Sequence, residues 1–200
     1  MKLLVASNNL HKLQEYQELL EGLFLDLRSL KDAGISVEVE ESGSTFEENA
    51  AIKARAYASM SGLLTMADDS GLEVEALGGE PGVYSSRYAG PGASDTQRVA
   101  YLLEKMKDIP WERRRARFRC VIAIVRPEGD IHFCEGQCNG IIALEPRGEH
   151  GFGYDPVFYL PDLGVTMAEL PPPKKNEISH RARAATEARK VLMEITGQAQ

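Results

Sequence analysis

Leu3-Leu4-Val5-Ala6-Ser7-Asn8-Asn9-Leu10-His11-Lys12 is the stretch on which the fold turns. Four apolar residues in a row predict a short buried strand. Ser7-Asn8-Asn9 punctuates it with turn chemistry. Beyond the turn, Leu10, Leu13, Leu19, Leu20 and Leu23 recur at helical spacing, with Glu15, Glu18 and Glu21 on the wet side. A strand, a polar turn and a helix open a βα unit.

Working outward, Val37-Glu38-Val39-Glu40-Glu41 alternates and predicts a strand or an extended segment, broken by Ser42-Gly43. Thr45 with Glu48 three residues on is a capping box, which starts a helix near residue 46. Ala50, Ile52, Ala54, Tyr57 and Ala58 form its apolar side, and Gly62 ends it. Leu63-Leu64-Thr65-Met66 then predicts a buried strand ending at Ala67-Asp68-Asp69-Ser70-Gly71. Residues 78–94, rich in Gly, Pro, Ser and Tyr, are expected to form a long loop. Ser94 and Gln97 cap a helix bearing Val99, Leu102, Leu103 and Met106. Strands follow at Cys120–Val125, Ile131–Phe133, Ile141–Leu144 and Val157–Leu160, the last preceded by a loop from Arg147 to Pro156. Pro171-Pro172-Pro173 is read as blocking any helix. A last helix carries Ala182, Ala185, Ala188, Leu192 and Ile195. Helices after strands, together with consecutive strands, predict an α/β or α+β fold with a mixed sheet. No repeat or linker divides the 200 residues, so one domain over 1–200, built as two lobes, is expected.

Composition narrows the functions. A net charge of −7 argues against a general nucleic-acid or membrane-surface binder, which needs a basic footprint. The run Arg113 to Arg119 is offset by acidic neighbours and reads as a solvated strand face or an intersubunit contact. No apolar run approaches the roughly 18 residues of a membrane span, and no leader is visible after Met1. Cys120, Cys134 and Cys138 form no zinc-type pair and read as reduced thiols of a cytoplasmic protein.

Several short constellations carry chemistry. Asp68-Asp69 sets two like charges side by side, which raises the cost of ionising either. A hard divalent cation relieves that cost, and carboxylate oxygens are its preferred ligands. An acidic Asp-Ser-Gly turn is the competing reading. Glu40-Glu41 is a second acidic pair, a metal partner if the two converge and a solvated edge if they do not. Ser7 to Lys12 is a helix start able to attract an anion, or else a simple N-cap. Gly151-Phe152-Gly153-Tyr154-Asp155-Pro156 combines two glycines with two aromatics able to stack on a base, or forms a tight turn. Lys174-Lys175 and Ser179-His180-Arg181 put cations near a helix start, against the macrodipole, which points to a shared anion.

Taken in order, these segments resemble the inosine triphosphate pyrophosphatase family, the Ham1-like dITP/XTP pyrophosphatases. The likeness rests on Ser7-x-Asn9-x-x-Lys12, Glu40-Glu41-Ser42-Gly43, Thr45-Phe46, Glu48-Asn49-Ala50 and Ala67 to Leu72. It continues through Leu77-Gly78-Gly79-x-Pro81-Gly82, Gly151 to Pro156 and Ser179-His180-Arg181. It runs from residue 2 to about 195.

The resemblance implies an α/β fold, with an elongated mixed sheet flanked by helices and two lobes with a cleft between them. It also implies Mg²⁺-dependent hydrolysis of ITP, dITP and XTP to the monophosphate and pyrophosphate, by a cytoplasmic homodimer that binds neither nucleic acid nor membrane. Carried over by position, Ser7, Asn8, Asn9, Leu10, His11 and Lys12 hold phosphates. Glu40 and Asp69 ligate one or more Mg²⁺ ions, and Asp69 is the general base. Ser70, Phe152, Gly153, Tyr154, Asp155, Lys175, His180 and Arg181 bind substrate. Phe152 stacks on the base, while His180 and Arg181 read its carbonyl edge. Where relatives often carry glycine, this chain has Asn8, a residue that tolerates positive φ. A nucleotide-binding protein without catalysis is the alternative from another class, and it would bind ITP without releasing pyrophosphate. A different phosphate-ester hydrolase is a third, although no Nudix-type REx₂EE cluster is present.

Overall fold

The structure is a computed structural model that describes residues 1–197. Its strands are β1 (Lys2–Val5), β2 (Asp26–Ser29), β3 (Leu64–Val74), β4 (Arg115–Val125), β5 (Ile131–Ile142), β6 (Phe158–Leu160) and β7 (Val165–Thr166). The helices are α1 (Leu10–Leu19), α2 (Phe46–Ser61), α3 (Asp95–Lys105), α4 (Pro172–Ile178) and α5 (His180–Thr196). The seven strands form one sheet in the order β2-β1-β3-β4-β5-β6-β7. It is mixed: β1 runs parallel to β2 and β3, whereas β6 pairs antiparallel with β5 and β7. In register, Leu4 lies beside Arg28 on one side and Thr65 on the other. The α/β expectation holds.

By contact density the chain forms two compact units. The first comprises Met1–Asp69, Cys120–Gly136 and Arg181–Gln200, of which residues 1–197 are described; the second comprises Ser70–Arg119 and Gln137–His180.

In the first unit, α1 and α5 cover one face of the β1–β3–β4 strands. Tyr16 and Leu20 of α1 and Ala184, Ala185, Ala188 and Leu192 of α5 pack on Leu3, Val5, Met66, Cys120 and Ile122. The small alanines let α5 approach closely. Helix α2 buries Phe46, Asn49, Ala50, Ala54, Tyr57 and Ala58. The Thr45 hydroxyl accepts the Glu48 amide at 3.1 Å, satisfying one orphan N–H of the first turn. The returning Glu48 carboxylate takes the Ser44 amide, at 2.6 Å. Gly62 closes the helix at φ 64°, a left-handed conformation that glycine adopts without strain.

In the second unit, Val99 and Leu102 of α3 and Met106 at its C-cap join a core with Leu72, Val74, Phe118, Val157 and Phe158. Helix α3 opens with a complete capping box between Ser94 and Gln97.

Several expectations need correction. Asp68 and Asp69 do not end their strand: β3 continues to Val74, so the pair lies in the strand interior and is no turn. Residues 37–41 form no strand, whereas Asp26–Ser29, outside the expected strands, forms β2. The two strands expected at 131–133 and 141–144 are one continuous β5. Val157 closes a 3₁₀ turn rather than starting β6, and the 78–94 loop contains a 3₁₀ segment at Gly82–Arg87.

The proline run does not block a helix. Helix α4 begins at Pro172, where a missing N–H costs nothing because the first amides are unpaired anyway. Leu10 is 77% exposed rather than facing the core. Nor is the basic run wholly solvated. Arg114 is buried and donates to the carbonyls of Ile142, Met106, Ile109 and Ala143, at 2.8, 2.8, 3.1 and 3.1 Å. Asn8 takes no positive φ, since glycines alone do so among the described residues.

Candidate active site

The two central aspartates are neighbours on a strand, so their side chains leave on opposite faces. Both are buried. Asp68 points to the face carrying α1 and α5. Its Oδ2 lies 2.9 Å from Lys12 Nζ, 3.5 Å from Arg181 Nη2 and 3.7 Å from Cys120 Sγ. Burial opposes its ionisation, yet Lys12, Arg181 and Lys53 together hold the carboxyl well below the usual carboxylate range. Arg181 is itself buried, and its other arm pairs with Glu15 at 2.6 Å, so Glu15 is not on the wet side of α1.

Asp69 points to the α2 face, where Asn49 Nδ2 donates to its Oδ2 at 3.0 Å. The Asn49 carbonyl oxygen accepts the Gly43 amide at 2.8 Å, which settles which way the amide faces. A Cβ at Gly43 would come within 2.7 Å of that oxygen, so the close approach requires glycine. Burial raises the pKa of Asp69, Lys53 opposes the shift, and Glu41 adds to it; the net change is upward. Two adjacent aspartates therefore have opposite electrostatics. One is locked as an anion among cations; the other is a stronger base than a free carboxylate.

Lys53 was not anticipated. From the middle of α2 its ammonium reaches Glu41 Oε1 and the Asp68 carbonyl, each at 2.6 Å. A lysine three to four residues beyond Asn49 and Ala50 lies on the same helix face, and that spacing was the available signal. Glu40 is exposed on the extended segment beside Glu41.

The first turn of α1 is built by short polar side chains. Ser7 Oγ accepts the Asn9 amide at 3.1 Å, and Asn9 Oδ1 accepts the amides of His11 and Lys12 at 2.9 and 3.3 Å. Asn8, Leu10 and His11 are exposed, and Lys12 turns inward to Asp68. The first unit thus gathers Lys12, Lys53 and Arg181 with Glu41, Asp68 and Asp69.

The second unit holds the other expected residues. Asp155 Oδ2 accepts the Phe152 amide at 2.9 Å and pairs with the buried ammonium of Lys175 at 2.7 Å. That ammonium also lies 4.6 Å from the centroid of the Phe152 ring, a cation–π distance. A Cβ at Gly151, φ 74°, would sit 2.1 Å from Asp155 Oδ2, so only glycine fits. Gly153 donates its amide to Asp95 at 2.6 Å, and the Tyr154 hydroxyl donates to the Ser85 carbonyl at 2.8 Å. His180 is buried and stacks on Phe118, centroids 4.7 Å apart at 19°. Ser70 is half-buried on β3.

Among the described residues no group of three or more His, Cys, Asp or Glu is placed to hold a metal on protein ligands alone. Asp69 and Glu41, close enough to feel each other's charge, are oxygen donors of the kind a hard divalent cation takes. Mg²⁺ commonly takes one or two carboxylates and completes its shell with water and substrate phosphates.

Known proteins resemble this chain over nearly its whole length. The family model described as the Ham1 family matches residues 3–191. The dITP/XTP pyrophosphatase of Desulforamulus reducens is 50% identical over 192 residues, covering 96% of each chain. That of Bacillus subtilis is 47% identical over 189 residues, covering 94% of this chain and 96% of the relative. Among solved structures, a HAM1 protein from Coxiella burnetii superposes with a TM-score of 0.89 at 45% identity, covering 97% of this chain and 99% of that one. With that match spanning nearly its whole length, the chain belongs to the Ham1 family.

Proposed function

We propose that this protein hydrolyses non-standard purine nucleoside triphosphates, XTP, dITP and ITP, to the monophosphate and pyrophosphate, and so clears deaminated purines from the nucleotide pool. The relatives' shared name supports the activity. The observation that carries the chemistry is that Asp68 and Asp69 leave β3 on opposite faces, Asp68 closed in by Lys12 and Arg181 and Asp69 beside Asn49. Asp69, the one of the two that no cation cluster encloses, takes a proton from water. The water oxygen bonds to the α-phosphorus, the bond from that phosphorus to the bridging oxygen breaks, and pyrophosphate leaves.

Lys12, Lys53 and the helix start at Ser7 to Lys12 supply positive charge and N–H groups for the triphosphate, since phosphoryl transfer needs positioning and charge stabilisation above all. A Mg²⁺ ion held by Asp69 and Glu40 would add charge neutralisation on the phosphates. Phe152 offers its ring to the purine. Lys175 and His180 supply donors suited to a 6-oxo edge, and a site with such donors rejects a mismatched edge by leaving them unpaired. Arg181 acts through Asp68, which its guanidinium holds. The whole chain works as one pyrophosphatase domain, in the cytoplasm and as a homodimer, which light scattering would check.

Asp69→Asn tests the assignment. Turnover of ITP should fall by roughly 10²–10⁴-fold, the range for loss of a general base, while the melting temperature stays within a few degrees. Full activity in that variant contradicts the assigned role.

A further inference from the structure

The loop Gly151 to Asp155 is held by more than its own residues. Besides the pair between Asp155 and Lys175 of α4, the loop is tied to Asp95 in the first turn of α3, whose Oδ2 accepts the Gly153 amide at 2.6 Å. The other oxygen of Asp95 pairs with Arg98 one turn on. Arg98 also donates to the carbonyls of Ser86, at 3.0 Å, and Ala93. The 3₁₀ segment Gly82–Arg87 holds the next loop residue, through Tyr154 and the Ser85 carbonyl. Ser85 is anchored in turn: its hydroxyl accepts the Leu72 amide at 2.9 Å and donates to the Gly82 carbonyl at 2.6 Å.

Gly153, at φ 64°, is the pivot of the loop. Its amide goes to Asp95 and the Phe152 amide goes to Asp155, so both N–H groups beside the half-buried Phe152 ring are committed to carboxylates. We infer that Asp95 is a positioning residue for substrate binding: by fixing Gly153 it sets the attitude of the Phe152 ring, and so the affinity for the purine, without touching the nucleotide. This inference rests on the reading that the 151–155 loop holds the base.

Charge-assisted hydrogen bonds to backbone N–H groups are among the stronger ones. Losing this one frees the pivot in the unbound protein, and binding must then restore its order. The effect belongs in KM, not in the chemical step.

The test compares Asp95→Ala, Asp95→Asn and Phe152→Ala, using pyrophosphate release from ITP and amide hydrogen exchange at Gly153 by NMR. Asp95→Ala should raise KM about tenfold, equivalent to about 1.4 kcal/mol, with kcat within about twofold and faster Gly153 exchange. Asp95→Asn, which keeps an acceptor oxygen, should restore KM to near the wild-type value. Unchanged KM in Asp95→Ala, with KM raised in Phe152→Ala, overturns the inference, as does unchanged Gly153 exchange. A fall in kcat with no rescue by asparagine also overturns it, because it marks a general structural defect. If Phe152→Ala leaves KM unchanged, the base-binding reading of the loop fails and the effect on affinity falls with it. Gly153 exchange then still reports whether Asp95 holds the loop.

Discussion

Asp68 is tied to Lys12 and Arg181 in surroundings that exclude water, and the arrangement is costly to break from one side. Removing one member of a buried charge pair typically destabilises by about 3–5 kcal/mol, because the partner charge stays buried and uncompensated. Asp68→Ala should lower stability to urea by roughly that amount, whereas Asp69→Asn should lower it far less, since Asp69 faces an amide and a lysine instead of a closed cation cluster. Equal losses in the two variants would refute the separation of roles.

The cysteines give a second residue-scale prediction. Burial pushes the Cys120 thiol up to about 12 and the Cys134 thiol up to about 11. Both are then neutral at pH 8, and alkylation by iodoacetamide should be far slower in the folded protein than in urea. A thiol whose folded pKa is raised stabilises the fold fully below its ordinary value near 9, and that contribution is lost as pH climbs from there toward 11–12. The urea midpoint should therefore decline above pH 9. Fast alkylation at pH 8 without unfolding would contradict the burial of these thiols.

At the scale of elements, helix α2 does two jobs. Its first turn presents Asn49 to Asp69, and its middle presents Lys53 to Glu41 and the Asp68 carbonyl. The Thr45 cap sets where that turn begins. Thr45→Ala should cost about 1 kcal/mol of stability, the usual value for a lost N-cap. Thermal or urea unfolding would measure it, and no loss would mean the Glu48–Ser44 contacts suffice alone.

Local chemistry made α2 and α3 legible in the sequence: capping residues and a terminal glycine act within one turn. The β1–α1 start was equally plain. Elements decided by tertiary pairing were not. Asp26-Leu27-Arg28-Ser29 carries no apolar alternation and becomes β2 only because β1 offers it an edge. The Asp68-Asp69 pair reads as a strand end because the apolar run Leu63 to Met66 stops before it, and two carboxylates in a strand interior are expensive. Lys12, Arg181 and Asn49, remote in sequence, remove that expense. Pro171-Pro172-Pro173 was misread because a proline that stops one helix also starts another.

At the scale of the molecule, motif order made the family legible long before any contact did. Charges that compensate one another from distant segments, such as Glu15 with Arg181 and Asp155 with Lys175, were invisible in the sequence. In a chain of net charge −7, the buried cations Lys175 and Arg181 are each held by an acid from a distant segment.

Pyrophosphate release with Mg²⁺ across ITP, dITP, XTP, ATP and GTP tests the proposed reaction and its specificity together. Pyrophosphate and monophosphate are expected from the first three, with ATP and GTP cleaved at least about 100-fold less efficiently, the order of discrimination that unpaired buried donors can supply. Equal rates on ATP and ITP, or release of orthophosphate instead of pyrophosphate, would contradict the proposal.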